Sequence, residues 1–195
     1  METHMAEKNS LSPLGRKIFL DRYAVKDVRK KTLAVGDLVV AVSNSATGQR
    51  EIGKVTAING DEVKVLLDDG REISTKKEGV DKPLETEPSQ MHRRVAAGIA
   101  KQEKPAVRDK WEKEFAWLLD DWKFVPGGRI LTGAGTDQNL TYFNCYVVPS
   151  PKDSRSGIMK SLGYMTEIMS RGGGVGMNLS SVSYTHLTLP TNREV

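Results

Sequence analysis

The spacing of apolar residues changes character several times along this chain. Behind Ser12-Pro13, a hydroxyl cap followed by a residue with no N–H to leave unpaired, Leu14, Ile18 and Phe19 recur at helical intervals and predict a helix reaching Tyr23. From 35 to 75 the period shortens to two. Residues 35–42, 51–58, 62–67 and 71–75 read as short strands, divided by Asn59-Gly60 and Asp69-Gly70, the dipeptides that tight hairpin turns select. A linker containing Pro and Glu at 79–88 leads back to helical spacing. Behind Pro88-Ser89, Met91, Val95 and Ile99 mark one helix; Trp111, Phe115, Leu118 and Trp122 mark a second from about 106 to 122; Ile158, Leu162, Met165 and Met169 mark a third from 157 to 169. All three stripes are expected in the core. Between the last two helices, Cys145 stands among Tyr142, Phe143, Tyr146, Val147 and Val148, a run that reads as a buried strand.

Composition narrows the function classes. The chain has 195 residues, 38% hydrophobic and 28% charged, enough for one or two cores. A net charge of +4, with basic and acidic residues interleaved, gives no basic stripe, so nucleic acid is not an expected partner. No apolar run is long enough to span a bilayer and the first residues lack a signal-peptide core, so no membrane is expected and the location is expected to be cytoplasmic. Residues 1–10 are polar, with Met5 a second candidate start. The basic segment around Arg29, Lys30 and Lys31 reads as a solvated connector. His92, beside Arg93 and Arg94 and off the apolar stripe, reads as a surface residue, and no second ligand stands at metal-binding spacing, so no metal site is expected. The strands at 35–75 are similar to an SH3-like barrel; without exposed aromatics among the lysines, it reads as a structural insert.

Glycines crowd both sides of the lone cysteine. Gly127, Gly128, Gly133 and Gly135 precede Cys145, and Gly172, Gly173, Gly174 and Gly176 follow it, so main chain could approach a ligand on either flank. The second group could also present N–H groups to an anion as a nest. It is neither a dinucleotide fingerprint nor a P-loop, because the required later glycine and the Gly-Lys-Ser/Thr are missing. By itself a single cysteine is either a small buried hydrophobe or a reactive thiol whose partner lies elsewhere.

Three motifs in order, Phe-Val-Pro-Gly-Gly-Arg-Ile-Leu-Thr-Gly-Ala-Gly-Thr, Phe-Asn-Cys-Tyr-Val-Val and Arg-Gly-Gly-Gly-Val-Gly-Met-Asn-Leu-Ser-Ser, resemble the start of the catalytic domain of adenosylcobalamin-dependent (class II) ribonucleotide reductases. The resemblance implies a mixed α/β fold: a helical segment (1–34), the small SH3-like β-barrel insert (35–80), a helical region (81–123) and the truncated start of a reductase-type α/β barrel (124–181). It implies that Cys145 is one of the reducing cysteine pair, that Asn144 contacts the ribose, and that Gly173 and Gly174 approach the nucleotide. It further implies adenosylcobalamin as cofactor, a ribonucleotide substrate, an external thiol reductant such as thioredoxin, and a homodimer as one assembly open to the family. The radical cysteine and the second reducing cysteine would lie beyond Ser181, so the 195 residues alone are expected to be inactive.

The last stretch, 182–195, departs from the family and looks like translated adapter sequence, which removes His186 from any site. Two other readings stay open: a nucleic-acid or protein binding module built on the barrel, and another thiyl- or glycyl-radical enzyme.

Overall fold

In the computed structural model, which describes residues 11–138 and 140–182, the chain forms two units, 1–139 and 140–195. The readings of Met5, His186 and nearly all of the 182–195 tail fall outside the described residues.

The first unit starts as Ser12 dictates. Its hydroxyl accepts the Gly15 N–H at 3.1 Å, Pro13 takes the first helical position, and α1 (Pro13–Ile18) continues into a π-helical turn at Phe19–Tyr23. That wider turn rotates the buried face: Phe19 and Leu20 enter the core, while Leu14 is 67% exposed and Ile18 also faces out. The predicted Leu14-Ile18 stripe is thus corrected, because a helix of constant period was assumed where the period lengthens.

Five strands follow: β1 (Leu38–Asn44), β2 (Gln49–Asn59), β3 (Glu62–Leu67), β4 (Glu72–Lys76) and β5 (Val80–Asp81). They make one antiparallel sheet in the order β4-β3-β2-β1-β5, curled into a half-barrel. Gly60 (φ 63) and Gly70 (φ 87) supply the left-handed residues that the two predicted turns need. β5 lies inside the stretch expected to be linker. Two residues carry no readable period, and pairing with Val40 and Ala41 of β1 makes them a strand.

The half-barrel shares its wall with the helices. Val39 and Ala41 of β1 point into the sheet's own core with Val55, Val63, Val65, Leu67 and Val80. Val40, between them, points the other way with Ile52 into the helical core, against Phe19, Leu20, Met91 and Val95. A strand buried on both faces reads as an unbroken apolar run, and Leu38 to Val42 is one. The basic segment is tied down as well: the Lys30 ammonium donates to the carbonyls of Lys77 (2.7 Å) and Glu78 (2.6 Å), so it is no free connector.

Three helices complete this unit: α2 (Pro88–Ala100), α3 (Arg108–Leu119) and α4 (Gly128–Gly133). The cap of α2 is Glu87, one residue before Pro88, with the Gln90 side chain accepting the Glu87 N–H at 3.1 Å. Met91 and Val95 are buried as their spacing predicts. On α3 the core residue is Leu119, whereas Trp111 and Leu118 are exposed along much of their surface, correcting the expected all-core stripe. Within the described residues no helix is long and apolar enough to cross a membrane.

The second unit is a β-α-β element: β6 (Cys145–Val148), α5 (Arg155–Ser170) and β7 (Gly174–Met177), with β6 and β7 parallel. The Ser154 hydroxyl caps α5 by accepting the Gly157 N–H at 3.1 Å. Two strands are too narrow to cover a wide helix face. Ser161 is buried and Met165 half-buried, but Ile158, Leu162 and Met169 of the predicted stripe stand exposed.

Candidate functional site

The parallel ladder brings the predicted site residues of the second unit together. Cys145 pairs with Gly174, Tyr146 with Val175, Val147 with Gly176 and Val148 with Met177. Side chains alternate across a strand, so Cys145 and Val147 share one face with Gly174 and Gly176, while Tyr146 turns towards α5. The Asn144 carbonyl accepts the Gly174 N–H at 2.8 Å, which locks the residue before the cysteine to the glycine segment.

The result is a thiol on a strip of bare backbone. A Cβ added at Gly174 would lie 3.1 Å from the Cys145 sulfur, and one at Gly176 would meet nothing within 4 Å. Cys145 is exposed and Val147 is 91% exposed, so the expectation of a buried strand fails. The reason is geometric: α5 covers one face of the two-stranded ladder and nothing described in this unit covers the other. Asn144 is exposed beside the thiol.

The glycine segment differs in detail from the anion nest. The Gly172 N–H donates to Met169 O (2.9 Å), Gly173 N–H to Ile168 O (3.0 Å) and Gly174 N–H to Asn144 O (2.8 Å). With Gly172 left-handed (φ 75), the first two close the end of α5, and none of the three N–H groups is left for an anion. Gly173 is glycine for packing: a Cβ there would sit 2.7 Å from Ile168 Cγ2 and 3.1 Å from Tyr146 Cε2.

Tyr146 is a site residue that the sequence pattern did not single out. Its ring lies over Gly173, its hydroxyl is 2.8 Å from the Thr141 hydroxyl, and Thr141 Oγ1 accepts the Phe143 N–H at 3.2 Å. This chain of contacts fixes the approach to Cys145. A phenol placed one residue after a lone thiol was the available signal.

The earlier glycines serve the helices of the first unit. Gly135 is left-handed (φ 74), with a Cβ there falling 2.8 Å from Arg94 Cγ, and a Cβ at Gly98 would fall 2.6 Å from Gly135 Cα. Arg94, which is buried against Glu85, explains the tightness. Its Nε and one terminal nitrogen donate to the Glu85 carboxylate (2.6 and 3.1 Å), and the guanidinium also donates to Ala134 O (2.6 Å) and Leu131 O (3.0 Å). Glu85 in turn accepts the Val25 N–H at 3.0 Å. Gly133 is buried. Gly133 and Gly135 therefore admit helix packing and capping where ligand approach was expected.

His92 is buried, not on the surface, with its ring edge-on to Trp122 at 4.7 Å between centroids. Burial pushes its pKa below the usual 6.5, against an upward pull from Asp120. Among the described residues no group of His, Cys, Asp or Glu could hold a metal ion.

Known proteins bear on the helical unit. Residues 74–139 match the ribonucleotide reductase all-alpha domain. The match begins in β4 and spans α2, α3 and α4. Cys145 and the glycine strip lie outside the matched residues. Among curated proteins none matches. Among solved structures, kinase-associated protein B from Bacillus cereus is similar over 48% of this chain and 100% of its own, at 13% identity and a TM-score of 0.23.

Proposed function

We propose that this chain is the N-terminal part of a ribonucleotide reductase in which Cys145 supplies one of the two thiols that reduce the ribose. The match of residues 74–139 to the reductase all-alpha domain carries this reading. The exposed sulfur beside Gly174 and Gly176 agrees with it, because a sugar can lie flat on bare backbone only where no Cβ stands in the way.

In this reaction the ribonucleotide loses its 2′-hydroxyl as water and gains hydrogen at C2′. Two thiols give up two electrons and two protons and join as a disulfide. Cys145 is the one cysteine among these 195 residues, so on this reading its partner thiol is supplied by further sequence and these residues do not turn over alone. The two sulfurs must meet at a Cα separation of about 4.4–6.8 Å. Such closure favours an exposed sulfur over a buried one. On this reading Asn144, exposed beside Cys145, would contact the sugar, while Gly173 would act through packing under Tyr146 and Gly174 through the room it leaves at the sulfur.

Adenosylcobalamin, the cofactor of the resembled class, would supply the radical that starts the reaction in the full-length enzyme. The reading rests on Cys145 and routes no step through that cofactor. An external thiol such as thioredoxin would return the disulfide to the reduced state.

The test is reduction of CDP and CTP by the full-length gene product, with and without adenosylcobalamin, followed as deoxynucleotide formed. Cys145→Ser should abolish multiple turnover. Full activity in that variant would remove the role given to the thiol.

A further inference from the structure

The turn between α3 and α4 carries a strained conformation that the proposed chemistry does not use. Asp121 and Trp122 are consecutive non-glycine residues with left-handed backbone, φ 52 and 56. Each such residue is disfavoured by about 1 kcal/mol, so something must hold the pair in place. The Trp122 ring meets His92 edge-on at 86°, which seats the turn on α2. The Lys123 ammonium donates to Trp117 O (3.0 Å) and Asp120 O (3.1 Å), and the Phe124 N–H donates to Leu118 O (3.0 Å).

Beyond these ties the same segment forms one wall of an apolar cavity of about 210 Å³. Phe124 and Pro126 face Val95, Ile99, Phe115 and Ile130 across it. The surroundings of His92 are sparse in charge. Asp120 faces it from the turn, Arg93 lies beside it on α2 with Ser89, and α3 presents Ala116 and Trp117, neither of which titrates. A neutral imidazole suits that setting, and an imidazolium would be buried with one exposed carboxylate to oppose it.

We propose that residues 120–127 form a strap latched in its strained form by the His92–Trp122 contact, and that protonation of His92 releases the strap and opens the apolar groove it walls. The sign follows from linkage: the closed form excludes the proton and the open form accepts it at the ordinary value near 6.5. Each further pH unit below that value raises the open population by up to about tenfold, until the closed form also titrates.

The full chain can be titrated from pH 7.5 to 5 while tryptophan near-UV dichroism and the fluorescence of an apolar dye are recorded. The expected result is a one-proton loss of the Trp122 signal with a matching rise in dye binding, at unchanged far-UV dichroism, and loss of that transition in His92→Gln. An identical transition in His92→Gln, no transition above pH 5, or collapse of the far-UV signal in step with the dye would each overturn the proposal. If His92→Gln does not fold, Asp121→Gly decides. By relieving the left-handed strain it should lower the midpoint by about half a pH unit or more, and an unmoved midpoint would overturn the latch.

Discussion

Replacing Gly98 by alanine sets two effects of opposite sign against each other. In the interior of α2, alanine is favoured over glycine by about 1 kcal/mol because it restricts the unfolded backbone and suits the helix. The added Cβ would, however, lie 2.6 Å from Gly135 Cα and 3.0 Å from the Ala134 carbonyl carbon, both main-chain atoms. Relief requires α2 and the 134–135 segment to part by roughly 0.8 Å or more to restore ordinary contact. That segment is held by the Arg94 bonds to Leu131 O and Ala134 O, at 3.0 and 2.6 Å. Overpacking costs about 1–3 kcal/mol and weakening a hydrogen bond to a charged group costs about 1.5–3. The net loss expected is therefore about 1.5–5 kcal/mol, or roughly 5–17 °C in the melting of the first unit. The three tryptophans, Trp111, Trp117 and Trp122, all lie in that unit, so urea denaturation followed by tryptophan emission isolates it. Gly163 of α5 is the control: a Cβ there meets nothing within 4 Å, and alanine should leave the tryptophan-detected midpoint in place. A Gly98→Ala chain as stable as the parent, or more so, would refute the reasoning that the glycines at 98 and 135 exist for close packing.

Further outcomes follow from the same geometry. Gly174→Ala should displace the Cys145 sulfur, because the new methyl would lie at 3.1 Å; the rate of thiol alkylation should change several-fold while Gly176→Ala leaves it within about twofold, and equal rates in both would count against the glycine strip. Glu85→Ala should lower the stability of the first unit by about 3–5 kcal/mol in the same urea assay, since it leaves the Arg94 charge buried without its carboxylate. Asp37→Asn should be less stable than the parent at neutral pH. For Asp37, burial tends to raise the pKa but is outweighed by Lys82 and the Ala34 N–H, so the folded value falls below 3.8. Its stabilisation is present above that value and lost as pH falls through the folded value, so the difference from Asp37→Asn should shrink in acid; a gap that stays constant to pH 2 would contradict this.

The alternation and turn dipeptides of 51–76 made the hairpins legible, because each depends on residues a few positions apart. Cys145 and the later glycines were legible as a pair of motifs. Their meeting side by side was not, since it depends on α5 carrying the chain back parallel to β6. The roles of the earlier glycines escaped the sequence for a related reason: Gly98 and Gly135 are far apart in the chain and matter through a shared contact. Nothing local to His92 marks it as buried, because its concealment comes from Trp122, thirty residues on and in a left-handed conformation that no apolar period announces.

By itself the sequence determined where the backbone turns, caps and changes period, and it placed a lone thiol between glycine-rich segments. Those features are local, set by hydrogen bonds and torsional preferences within a few residues. Tertiary structure alone decided that Cys145 is exposed, that Val40 crosses to the helical core, that His92 is enclosed and that the N–H groups of Gly172, Gly173 and Gly174 are occupied. Burial and hydrogen-bond partnership are properties of what arrives from elsewhere in the chain, and no stretch of sequence carries that information alone.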